Sequence, residues 1–283
     1  MIKRLFTATC VTAVLILVWG AGAPAHDLEP RPFTDLWAFG DSLTDTGNLF
    51  SLTGDVEPPS PPYFNGRFSN GPVWIESLAL LLDLLDVDFA TRNQAIGGAF
   101  TDTRGETLDN TGVFTQVANF VETGQRIGDD DLVVVWAGAN NYFGGDTDPE
   151  AVVENLVRAI EALSEVGAER FLVPNLPNLG DTPGGIALGA REALNALTGQ
   201  HNAELAEEME ELRDELDVEI VILDVNAAFE QMLEDPQIFG FDNVSVPCLI
   251  QNPAGTRTPT GVCPALGDSF DATDKLFWDL IHP

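Results

Sequence analysis

Leu132-Val-Val-Val-Trp136 decides the fold: five apolar residues follow the polar run Asp129-Asp130-Asp131 and stop just before Gly138. A run that is apolar at both alternating positions has no solvent face. It therefore reads as a strand buried on both sides, as in parallel sheets covered by helices. Shorter runs of the same kind occur at Asp35–Phe39, Arg170–Val173 and Glu219–Leu223, with a weaker one at Val87–Ala95. Between them the spacing of apolar residues predicts helices at 72–85, 150–166 and 186–216. Asp146-Thr-Asp148-Pro149-Glu150 reads as a helix start with proline in its first turn. Helices alternating with five short strands imply an α/β protein whose parallel sheet is built by right-handed crossovers. The stretch from Gln237 to Lys275 is long and irregular.

The N-terminus has a basic head at Lys3-Arg4, an apolar stretch from Leu5 to Trp19, and the ending Ala23-Pro24-Ala25. That arrangement describes a secretory signal over residues 1–25, cleaved after Ala25, with residues 26–283 as one domain. No later segment is apolar enough to span a membrane, and a secreted or periplasmic protein is expected. Cleavage removes Lys3 and Arg4 but no acid, leaving 11 basic against 45 acidic residues, a net charge of −34. Lys275 is then the one lysine. So acidic a chain lacks the basic footprint that nucleic acids require, and anionic membrane surfaces repel it. A strongly hydrated surface suited to salt is expected. Of the cysteines, Cys248 and Cys263 remain, enclosing a loop rich in Pro, Gly and Thr. In an oxidising compartment they are expected to pair, contributing about 3 kcal/mol in the chain-entropy model. No histidine completes a zinc pattern with them, and no calcium-loop motif occurs.

In open parallel sheets, ligands bind beyond the carboxyl ends of the strands. Three features fall there: Gly40-Asp41-Ser42, Gly97-Gly98 and Gly138-Ala139-Asn140. Ser42 is placed at a strand-to-helix turn, where a helix N-terminus favours developing negative charge. Gly98 offers an unobstructed backbone N–H, and Asn140 a neutral side-chain donor. The chain has three histidines: His26 beside the cleavage site, His201 inside a helical pattern and expected at the surface, and His282 three residues after Asp279. Asp279 and His282 thus supply an oriented base for a nucleophilic serine.

Phe39-Gly-Asp-Ser-Leu-Thr-Asp-Thr-Gly-Asn48, Asn93-Gln-Ala-Ile-Gly-Gly98, Gly138-Ala-Asn140 and Asp279-Leu-Ile-His282 resemble, in order, the four blocks of the GDSL (SGNH) hydrolase family. The likeness runs from about residue 35 to 283 and is greatest to an exported bacterial branch of lipolytic esterases and phospholipases. It implies a three-layer α/β/α flavodoxin-like fold, Ser42 as nucleophile and His282 as base. It also implies an oxyanion hole of the Ser42 and Gly98 amides and the Asn140 side chain, and no cofactor or metal. The expected activity is hydrolysis of carboxylic esters, of a lipid or a short acyl group, by a monomer. Polysaccharide deacetylation, acyl transfer to another alcohol, and a weakened binding protein on the same fold are the alternatives.

Several residues have a second reading. Gly98 is preferred to Gly97 by its offset of five from Asn93, and Asn140 to Asn141. Asp41 is read as a turn former, and Gly267-Asp268-Ser269 as a loop that repeats the tripeptide without a preceding strand. Phe50, Tyr63, Phe64, Phe68, Phe143 and Trp278 are candidates for an acyl site or a sugar platform, most of them expected in the core. Family members continue past the His-Pro dipeptide into a closing helix, so an incomplete sequence is expected, with a fraying His282.

Overall fold

The computed structural model describes residues 33–82, 84, 92–251, 257–259 and 275–283. The expected signal, the Gly267-Asp268-Ser269 repeat and Cys263 lie outside the described residues, so the pairing of Cys263 with Cys248 is not described either.

The four strands β1 (Leu36–Gly40), β2 (Leu132–Trp136), β3 (Arg170–Pro174) and β4 (Glu219–Leu223) form one parallel sheet in chain order. Of the fifth expected strand, Val87–Ala95, residues 87–91 fall outside the described part. Its end pairs with the free edge of β1: Asn93 bridges Ala38, Gln94 N donates to Ala38 O (2.7 Å) and Ile96 N to Gly40 O (3.0 Å). The chain therefore winds outward from β1 in both directions, and the described sheet has four strands rather than five.

Alternation along the strands builds the layers, because successive side chains point to opposite faces. Trp37, Phe39, Val133 and Val135 pack with helices α3 (Val113–Glu122), α5 (Pro149–Glu165) and α7 (Arg191–Leu216). Leu36, Ala38, Leu132 and Val134 pack on the other face against α2 (Trp74–Leu81). The result is a three-layer α/β/α sandwich. Short helices α1 (Asn48–Leu52), α4 (Ala139–Phe143) and α6 (Pro183–Ala187) occupy loops, and α8 (Val225–Glu234) follows β4. The Asp148-Pro149 start is as expected, with the Asp148 carboxylate accepting from Ala151 N.

The single helix expected over 186–216 is two. Gly189 takes φ +65°, and Ala190 N reaches back to Gly185 O (3.1 Å), a left-handed cap that closes α6 before α7 begins. At the C-terminal end, segment 248–249 is tied to 277–278 through Cys248 N to Phe277 O (3.1 Å) and Leu249 N to Trp278 O (2.7 Å). The last residues are thereby held over the carboxyl ends of β1 and β2.

Candidate active site

Beyond β1 the chain must turn sharply, and Gly40 permits it: a Cβ there would lie 2.4 Å from Trp136 O. Gln116 of α3 then fixes the turn. Its Nε2 donates to Gly40 O (2.9 Å) and Thr111 O (2.8 Å), and its Oε1 accepts from Gly40 N (3.0 Å). Asp41 does form the turn, its O accepting from Thr44 N and Asp45 N and its Oδ1 from Leu43 N. Burial pushes its carboxyl up to about 6, against the Leu43 amide and the charge of His282. Ser42 follows on this turn. No helix starts at it, contrary to the sequence expectation, because the next helix begins six residues later at Asn48.

Ser42 Oγ lies 2.7 Å from His282 Nε2, and His282 Nδ1 lies 2.8 Å from Asp279 Oδ2. The other carboxylate oxygen, Oδ1, accepts from Ile281 N and His282 N, both at 2.8 Å. Tyr63 Oη donates to Asp279 Oδ2 at 2.5 Å. Burial opposes the charge on Asp279, but the cationic form of His282 and the hydrogen bonds from His282 and Tyr63 outweigh it. They hold the carboxyl below the usual carboxylate range. The expected fraying of His282 is absent. Its carbonyl accepts from Trp278 N (2.8 Å) and Asp279 N (3.3 Å), so the last turn closes on itself, and the residue is 9% exposed. Phe68 packs on the imidazole with ring centroids 5.0 Å apart.

Four consecutive amides border the serine on the other side. Ile96 N donates to Gly40 O, Gly97 N to Asp45 Oδ2 (2.8 Å) and Ala99 N to Ile96 O (3.1 Å). Gly98 N has no acceptor among the described residues, nor has Ser42 N. Gly98 sits at φ +77°, where an L side chain is strained. Asn140 uses one N–H of its amide on Ala99 O (2.9 Å) and keeps the second. Asn141 is turned away: it is buried, its Oδ1 accepts from Thr101 N and its Nδ2 donates to Asp146. Ser42, Gly98, Asn140, Asp279 and His282 all line one open cleft of about 180 Å³, with Phe68, Leu249, Leu280 and Ile281 as apolar wall and Glu57, Glu106 and Thr107 as polar rim. Of the other aromatic candidates, Tyr63 and Trp278 back this wall from the core, Phe143 packs in a separate cluster and Phe64 is exposed.

His201 is not at the surface. It is fully buried, its Nδ1 2.9 Å from Tyr142 Oη on α4, and burial lowers its pKa to about 4. Its ring lies beneath Gly138, where an added Cβ would come within 3.0 Å of it. The acidic residues around it in sequence face outward on the rest of α7, and the two environments lie one helix diameter apart. Sequence reasoning missed the supporting roles of Tyr63, Gln116 and Asp45. Only Asp45 carried a signal, standing within the same block as Ser42. Among the described residues no cluster of side chains could hold a metal ion, and no helix is long and apolar enough to cross a membrane.

Comparison with known proteins adds the following. A family model described as GDSL-like lipase/acylhydrolase matches residues 36–283. A phosphatidylcholine-sterol acyltransferase of Aeromonas hydrophila is 32% identical, covering 92% of this chain and 88% of that one. A secreted effector protein, SseJ, of Salmonella typhimurium is 29% identical over 94% of this chain, which spans 65% of the effector's length. A solved structure from the lipolytic G-D-S-L family of Veillonella parvula aligns with TM-score 0.44 at 16% identity, over 72% of this chain and 83% of that one.

Proposed function

The chain belongs to the GDSL lipase/acylhydrolase family of serine ester hydrolases, and from that premise we propose that it is an exported esterase working through an acyl-enzyme on Ser42. The observation that carries the reading is the unbroken relay Ser42 Oγ–His282–Asp279, at 2.7 and 2.8 Å, opening into the cleft that Gly98 and Asn140 also line.

His282 Nε2 takes the proton of Ser42 as Oγ attacks the ester carbonyl carbon. The carbonyl oxygen becomes an oxyanion facing the Ser42 and Gly98 amides and the spare Asn140 N–H, donors already in place before charge develops. Collapse breaks the bond to the alcohol oxygen, which leaves with the proton from Nε2. Water then gives a proton to Nε2, attacks the acyl carbon, and restores Ser42 as the carboxylic acid departs. Asp279 holds the Nδ1–H tautomer and stabilises the imidazolium throughout.

The cleft is small beside the 300–1,000 Å³ common for ligand sites, and its apolar wall fits a short acyl group or the ester end of a lipid. A relative named for acyl transfer at 32% identity favours a second reading, in which an alcohol replaces water in the second half. Residues 1–25 act as the export signal, residues 26–283 form the hydrolase domain, and Cys248 and Cys263 pair after export.

The test is fluorophosphonate labelling of the purified protein beside Ser42→Ala, followed by p-nitrophenyl esters of increasing acyl length with and without an added alcohol. Labelling lost only in Ser42→Ala supports the reading, and equal labelling of both proteins refutes it. Acyl product on the added alcohol identifies transfer.

A further inference from the structure

Asp45 lies three residues beyond the nucleophile, fully buried, and its carboxylate is spent on four backbone amides. Oδ1 accepts from Gly47 N (2.7 Å) and Asn48 N (2.6 Å), which orders the entry to α1. Oδ2 accepts from Leu49 N (3.1 Å) and, across 52 residues of sequence, from Gly97 N (2.8 Å). A helix start is capped with one or two such bonds, so the bond to Gly97 needs a separate reason.

That reason lies in the adjacent peptide. Within the run Ile96–Ala99, every amide but Gly98 N is bonded inward. Orienting Gly97 N–H toward Asp45 fixes one side of the Gly97 residue, and Gly98 O, which accepts from Glu106 N at 2.9 Å, fixes the far side of the loop. The Gly97–Gly98 peptide between them then turns its N–H to the cleft. Position 97 must be glycine, since a Cβ there would lie 2.3 Å from Phe68. The same joint is strengthened by Asn48 Nδ2, which donates to Asn93 O (2.7 Å) and Ala95 O (2.8 Å), and by Asn93 Nδ2, which donates to Thr44 O (2.8 Å).

We infer that Asp45 is a positioning residue: its carboxylate locks the Gly97–Gly98 loop to the Ser42 turn and so sets the separation of the two oxyanion-binding amides. The inference rests on the esterase reading. Asp45 touches no substrate and acts only through Gly98.

Asp45→Asn retains shape but gives one side of the group two N–H donors, so either the Gly97 and Leu49 amides or the Gly47 and Asn48 amides meet a donor instead of an acceptor. A misplacement of about 1 Å in such a donor costs on the order of 100-fold in rate. The expected result is a kcat for p-nitrophenyl butyrate lowered about 10- to 100-fold with KM nearly unchanged. Affinity for a trifluoromethyl ketone, which forms an oxyanion on Ser42, falls by the same factor. Asp45→Ser, whose hydroxyl can still accept from the Gly47 or Asn48 amide but is too short to reach Gly97, gives the same split.

Wild-type-like kcat and ketone affinity in a folded Asp45→Ser, which cannot reach Gly97 N in any rotamer, overturns the inference, as does a loss confined to KM. Should neither variant fold, the crystal structure of the wild-type ketone adduct decides. It must show Gly98 N on the oxyanion while Gly97 N stays on Asp45, and an adduct in which Gly97 N has left Asp45 overturns the inference. An inactive wild type that forms no adduct is a failure of the esterase reading instead.

Discussion

Asp279→Asn isolates the part of the mechanism that distance alone leaves undecided, the proton position on His282. The asparagine amide can sit in two ways. With its oxygen in place of Oδ1 it still accepts from Ile281 N and His282 N, and its NH2 faces His282 Nδ1 and Tyr63 Oη. Flipped, it sets NH2 against two backbone N–H groups and leaves both without an acceptor, at roughly 1–3 kcal/mol each. The first orientation therefore wins by about 2–6 kcal/mol. In it the NH2 donates to Nδ1, so the ring carries its proton on Nε2 and donates to Ser42 Oγ instead of accepting from it. The base is lost while every heavy atom stays in place. A tautomer error of this kind costs a serine protease about 10⁴-fold, equivalent to about 5.5 kcal/mol of barrier. The assay is kcat/KM for p-nitrophenyl butyrate, with fluorophosphonate labelling rates and a thermal melt in parallel. Asp279→Asn should melt close to wild type and be no more active than Asp279→Ala, which frees the ring to choose its tautomer. Activity within about tenfold of wild type in Asp279→Asn would refute the tautomer argument.

Tyr63→Phe removes the 2.5 Å bond to Asp279 and should lower kcat about tenfold with KM unchanged, since a bond to a charged group contributes about 1.5–3 kcal/mol; unchanged kcat would assign Tyr63 to packing alone. Gln116→Leu strips the side-chain partner from Gly40 N and Thr111 O, while Gly40 O keeps Ile96 N, and urea unfolding should show a loss of at least about 2 kcal/mol, with kcat falling as the Ser42 turn loosens. Two buried groups oppose each other as pH changes. His201, its pKa lowered from 6.5 to about 4, stabilises the fold above the unfolded value and loses about 3 kcal/mol as pH falls from 6.5 through 4. Asp41, raised from 3.8 to about 6, binds its proton more tightly when folded, so its stabilisation is present below 3.8 and about 3 kcal/mol is lost as pH rises through 6. Their sum is nearly flat between pH 4 and 6.5, and urea midpoints of single variants should separate them. His201→Gln should be less acid-sensitive than wild type, and Asp41→Asn should gain stability at pH 8 but not at pH 4; identical pH profiles in all three proteins would contradict both assignments.

Four of the five expected strands, the alternation of helices and the residues that meet at the cleft were legible in the sequence. Each rests on local information: a run such as Leu132–Trp136 is apolar on both faces whatever surrounds it, and Gly98 and Asn140 stand at strand ends. Helix α3 was not anticipated, although Val113, Gln116, Val117 and Phe120 have helical spacing and are buried. Its β-branched and aromatic residues are indifferent helix formers, and packing on the sheet supplies what propensity does not. His201 was misplaced because its neighbours in sequence are polar, whereas the face it occupies is set by the register of α7 against α5 and the sheet.

The sequence by itself determined which side chains stand in the four blocks and that the Ser42, Gly98 and Asn140 blocks follow strands, because side-chain chemistry and strand periodicity are properties of neighbours along the chain. Tertiary structure alone decided how those groups are held: Tyr63 is 216 residues from the Asp279 it touches, Gln116 is 76 from Gly40, and Gly97 is 52 from Asp45. Such bonds leave no periodic trace, since a hydrogen bond depends on where two segments meet in space and not on the spacing between them in the chain.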